Sequence, residues 1–152
     1  MTTERPSTTL AYSVGAAGLV GVLLGTFLPW LQSGDVRRNS YSSFGVLRRL
    51  IGFDGVSEIA VRVWPLIGLC CAGIVVAVAT ASRRIATALT LITASWSAAV
   101  AGTVLLHHGD AGVTVVDLGP IVTLIGDAAL LLAASLTLIF QSRQSQLQGD
   151  RR

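Results

Sequence analysis

The sequence predicts an all-α integral membrane protein, with four transmembrane helices and an amphipathic interfacial helix in the first loop. Three observations lead there. The 152 residues are 52% hydrophobic and only 12% charged, with a mean hydropathy of +0.69, whereas a soluble domain carries about 25% charged residues. Four runs, 10–31, 63–81, 85–106 and 118–140, approach the ~20 apolar residues that cross a ~30 Å hydrocarbon core. The connections after the second and third runs are short, so the later helices must be antiparallel neighbours.

Residues 1–9 form a polar tail ahead of the first run. That run is too long for a signal-peptide core, and no small-residue cleavage site follows Trp30-Leu31-Gln32, so it is expected to stay attached. Gly15, Gly18, Gly21 and Gly25 recur at helical spacing within it. Gly18, Gly21 and Gly25 are the expected packing face, Gly21 and Gly25 forming a small-xxx-small pair that lets another backbone come close. Trp30 after Pro29 and Trp64 before Pro65 are expected in the aromatic belt at the membrane surface.

The loop 32–62 is the only connection long enough for structure of its own. "SGDVRRNSY" has turn composition, and Arg37 and Arg38 in it read as a solvated basic turn, with contact to a phosphate or a partner's carboxylate as the sharper alternative. In "SSFGVLRRLIGF", residues 42–53, one arc of a helical wheel holds Phe44, Val46, Leu47, Leu50, Ile51 and Phe53. Arg48 and Arg49 lie opposite. Such a segment suits the headgroup plane, with Arg37, Arg38, Phe44, Leu47, Arg48, Arg49 and Ile51 meeting lipid or a partner. The plainer alternative is that its apolar arc caps the bundle. Ser42 or Ser43 is the expected N-cap.

Only Ser82-Arg83-Arg84 separates the second and third runs. In the third, Thr90, Thr93, Ser97 and Ala101 lie along one stripe, small and weakly polar as membrane interfaces tend to be. "HHGDAGVTVVD" leads to the fourth run, and residues 141–152 form a second tail. Arg83 and Arg84 in one short loop, against Asp110 and Asp117 in the other, place both termini in the cytoplasm and loop 32–62 outside the inner (plasma) membrane.

The fourth run holds Asp127, and the four runs contain no other acid, histidine or basic residue. A central Asp opposes insertion by roughly 2.5 to 3.5 kcal/mol, while each Leu, Ile, Phe or Val returns about 0.3 to 0.6, and about a dozen of these surround it. Asp127 therefore inserts facing protein, sharing a helix face with Thr123 and meeting Thr93, Ser97 or the Trp96 indole. As an interhelical clamp it needs only those partners. As a proton or cation site it would need further ionisable groups in series, so the clamp is the expected role.

Several functions are set aside. The net charge of +3 is scattered and carried by arginine alone, without the basic patch of a nucleic-acid binder. His107 and His108 are adjacent, so their side chains diverge by about 100° on a helix, a poor metal site. Cys70 and Cys71 sit together in an apolar run and read as small buried residues rather than a disulfide framework. No nucleophile–base set, phosphate-binding loop or dinucleotide fingerprint is present, so no enzyme, metal or cofactor is expected. No internal repeat supports an inverted-repeat transporter.

The lysine-free composition, rich in Ala, Val, Gly and Leu, suggests a high-G+C bacterial genome. "FLPWLQSGDVRRNSYSSF", residues 27–44, resembles the start of small, uncharacterised four-span membrane proteins of actinobacteria. The resemblance covers the end of the first span, the following turn and the span count, and implies no activity or ligand. The expected function is a non-enzymatic accessory or scaffold subunit of a bacterial cell-envelope membrane complex. Its partners are then the lipid bilayer and a larger membrane protein or further copies of itself. The alternatives are a small proton-coupled transporter or ion carrier using Asp127, and a membrane-surface lipid-binding sensor using residues 42–53.

Overall fold

The computed structural model describes residues 6–44, 59, 62–80, 83–106 and 114–149. Helix α1, Pro6–Phe27, leads into strands β1, Pro29–Ser33, and β2, Val36–Asn39. A 3-10 turn, Trp64–Leu66, opens helix α2, Ile67–Ala79. Helix α3, Arg83–Leu106, strand β3, Thr114–Val115, and helix α4, Leu118–Gly149, follow. Among the described residues, three helical stretches are long and apolar enough to cross a membrane: Thr9–Phe27, Arg83–Leu106 and Leu118–Ser142. Between their ends they turn large aliphatic side chains outward, Val20, Leu24, Ile92, Ile125 and Leu132 among them, the inverse of a soluble protein's surface.

Two expected boundaries move. The first helix ends at Phe27 rather than residue 31, because Pro29, Trp30 and Leu31 enter a strand. The fourth continues to Gly149, so a helix occupies most of the expected tail 141–152. Its 32 residues make about 48 Å, well beyond a ~30 Å core. The second apolar run forms a shorter helical stretch, Trp64–Ala79.

The fold is mostly helical, as expected, and the small sheet that accompanies the helices was not expected. Its order is β2-β1-β3, antiparallel throughout. Ser33 pairs with Val36 across a two-residue hairpin turn in which Gly34 has φ 58, a left-handed backbone that an L side chain resists. The register shifts between Pro29 and Leu31, and at this bulge both Trp30 and Leu31 are buried. The basic turn is thus the second strand of a hairpin. The chain is helical again at 40–44, capped by Asn39, whose Oδ1 accepts the Ser42 backbone N–H at 3.0 Å. Asn39, not Ser42 or Ser43, is the N-cap.

The end of α1 lacks a capping glycine, and side chains from the sheet region serve its orphan carbonyls. The Trp30 indole N–H donates to the Gly25 carbonyl at 2.8 Å, and the Ser40 hydroxyl donates to the Thr26 carbonyl at 2.7 Å. Beneath the sheet Trp30, Phe44 and Trp64 meet with centroids 5.3 to 6.0 Å apart, and Trp96 reaches Trp64 at 5.8 Å. Trp30 and Trp64 are fully buried here, in place of the lipid-facing belt that was expected.

Helix α4 packs along both α1 and α3, and α2 packs on α3 while touching α1 lightly. One core cluster draws on all four helices through Val22, Ile67, Cys71, Ala94 and Leu130. The second combines Trp30, Phe44 and Trp64 with Val100 and Ala101 of α3.

Candidate functional site

The first requirement for burying an acid among helices is close backbone approach, and glycines supply it. A Cβ on Gly126 would fall 2.6 Å from the Val22 nitrogen and 2.8 Å from the Gly18 carbonyl oxygen. A Cβ on Gly18 would lie 2.9 Å from the Gly126 carbonyl oxygen, and one on Gly21 3.1 Å from the Gly126 Cα. Gly25 faces Thr123 just as closely, at its hydroxyl and its backbone. The expected face Gly18, Gly21 and Gly25 therefore packs on α4, where Gly126 is the central counterpart.

Asp127 follows Gly126 and turns toward α3. It is 1% exposed. The Ser97 hydroxyl lies 2.5 Å from Oδ1 and also 2.8 Å from the Thr93 carbonyl oxygen. One hydroxyl proton serves two acceptors, so Ser97 either donates to the carboxyl or donates to Thr93 and accepts from it. Both arrangements join α3 to α4. Oδ2 has no hydrogen-bond partner among the described residues, and the Cys71 thiol of α2 lies within electrostatic range of the carboxyl.

Of the expected partners, Ser97 meets the acid. Thr93 is buried and contributes its carbonyl, through Ser97. Trp96 turns to the aromatic cluster instead, because its ring fits edge-on against Trp64. Thr123 is buried on the α1 side of α4 and donates to the Gly119 carbonyl at 3.0 Å. The α3 stripe is buried as expected, and Thr90 likewise returns its hydroxyl to the Ala86 carbonyl, at 2.8 Å. This local bonding lets hydroxyls sit in an apolar interior.

The expected surface site is only partly described. Phe44 is buried against Trp30 and Trp64 rather than facing lipid or a partner, since its ring fills the space under the sheet. This favours the bundle-capping alternative for that residue. Arg37 is exposed on β2, and Arg38 is half-buried with its Nε lacking a partner among the described residues. Leu47, Arg48, Arg49 and Ile51 lie outside the described residues, as do His107, His108 and Asp110.

Sequence reasoning missed Gly126, Gly119 and Cys71. The glycines had a signal: they stand seven apart, two helical turns along one side of α4, Gly126 against α1 and Gly119 against Trp30 and Pro29 of β1. Cys71 had none, because nothing in the sequence says which helix faces Asp127 from the third side. Comparison with protein-family models, curated proteins and solved structures finds no match. Fold and site define a class all the same: a helical, membrane-embedded protein with one buried acid between helices and a small sheet over an aromatic cluster.

Proposed function

We propose that this protein is a non-enzymatic accessory or scaffold subunit of a bacterial cell-envelope membrane complex. The observation that carries the reading is the engagement of Asp127: its Oδ1 is bonded to Ser97, and the side chain is sealed among helices. An acid spent on joining α3 to α4 serves architecture, and the apolar runs hold no second acid or base to extend a proton path.

In this reading the chain crosses the membrane four times. The stretch Trp64–Ala79 is about 25 Å long, slightly short of a ~30 Å core. It buries Ile67, Cys71, Ile74 and Ala77 on one face and presents Leu69, Val75 and Val76 outward, as a lipid-facing crossing does. Both termini are then cytoplasmic, and the sheet lies on the outer face, where its exposed edges and Arg37 are open to a partner.

The test is purification of the full chain from its native membrane in mild detergent, with identification of what accompanies it. A larger membrane protein in fixed stoichiometry is expected; a pure homo-oligomer counts against the role. The unpartnered Oδ2 favours one competing reading, a proton or ion carrier. Reconstituted vesicles separate the two. A clamp tolerates Asp127→Asn, whereas a carrier loses proton flux in that variant while complex recovery stays normal.

A further inference from the structure

Helices α1 and α2 part at the end of the bundle that carries Arg83, leaving a lateral groove of about 340 Å³. Its floor is buried and comes from α3 and α4: Ala86, Thr90, Leu130, Ala133 and Ala134. Its two rims are exposed, Tyr12 and Ala16 on α1 and Val75 and Val78 on α2. From Ala11 to Leu19 it follows α1 for about 12 Å toward the middle of the bundle. The walls are aliphatic apart from the Tyr12 ring and threonine hydroxyls, and Thr87 and Thr90 are turned back onto their own helix. Arg83 lines the mouth, exposed and in no ion pair among the described residues, and the next residue, Arg84, is exposed too.

The geometry points to this groove as a binding site for one anionic phospholipid, an acyl chain lying between α1 and α2 and the headgroup phosphate paired with Arg83. The charge pattern selects this occupant. An apolar helix from a partner would fill the cleft but leave Arg83 at its mouth unanswered. A phospholipid brings a chain and a phosphate at the required separation, and basic pockets between helices at the membrane surface hold anionic headgroups. The inference rests on membrane placement alone and not on the accessory role, so either can fail without the other.

The test uses the full-length chain in mild detergent, stripped of lipid and titrated with phosphatidylglycerol or phosphatidylcholine of matched chains, with bound lipid counted by native mass spectrometry. One phosphatidylglycerol is expected to be retained preferentially. Arg83→Gln should weaken its retention about fivefold and leave phosphatidylcholine unchanged. Ala16→Phe and Val75→Phe, which plug the groove from opposite exposed rims, should each abolish the preference, while Ile92→Phe on an outward face elsewhere should not. Equal retention of the two lipids, or indifference to Arg83→Gln, would overturn the site. So would plugging variants that behave like Ile92→Phe, or a dimer that they dissociate, which would give the groove to a second copy.

Discussion

Asp127 has two oxygens in unequal surroundings, one 2.5 Å from the Ser97 hydroxyl and the other without a hydrogen-bond partner among the described residues. Because Ser97 can donate or accept, an amide at 127 can take over either part of the bond. Asp127→Asn is therefore expected to keep the folded, assembled protein. Asp127→Leu and Ser97→Ala should each loosen it by about 0.6 to 1.7 kcal/mol, the range of intramembrane hydrogen bonds. Unfolding in mixed detergent micelles measures these differences. The double variant should lose little more than either single one, because both remove the same bond; full additivity would mean that the two residues act apart.

At the scale of elements, the crossing of α1 and α4 depends on backbone contact that no side chain can replace. Gly126→Leu would drive its side chain into the Val22 nitrogen and Gly18 carbonyl. The helices must then separate, taking Asp127 away from Ser97. Its expected cost exceeds that of either clamp variant, and cysteine pairs across the α1–α4 crossing should cease to cross-link efficiently. Gly102 on α3 is the contrast, since a Cβ there meets nothing within 4 Å. Gly102→Ala should be neutral or gain up to about 1 kcal/mol from helix propensity. In the hairpin, Gly34→Ala should cost roughly 1 to 2 kcal/mol, because φ 58 places a Cβ in conflict with its own backbone.

For the whole molecule, the proposed four crossings with an outer sheet make a direct prediction about sidedness. With Cys70 and Cys71 replaced by alanine, Asp35→Cys in the hairpin turn should react with an impermeant maleimide in intact cells, and Arg84→Cys only after the membrane is opened. Both positions are exposed. Reaction of position 84 in intact cells would invert the topology, and reaction of both would remove the crossing assigned to Trp64–Ala79.

The apolar runs, the glycine face of α1, the hydroxyl stripe of α3 and the suspicion attached to Asp127 were all legible in the sequence. Each is a property of one helix: length against a bilayer's thickness, or a 3.6-residue period that sorts small residues onto one side. What the sequence left open is which faces meet. Ser97 rather than Trp96 holds the acid because α3 presents the serine to α4 and turns the indole toward Trp64. Trp30, Phe44 and Trp64, which looked like surface anchors, became a buried cluster because a hairpin too short and polar to stand out in the sequence folds over them. Partner choice of this kind depends on rotation and offset between helices and on strand pairing across distant loops, and those are decided only when all the elements pack at once.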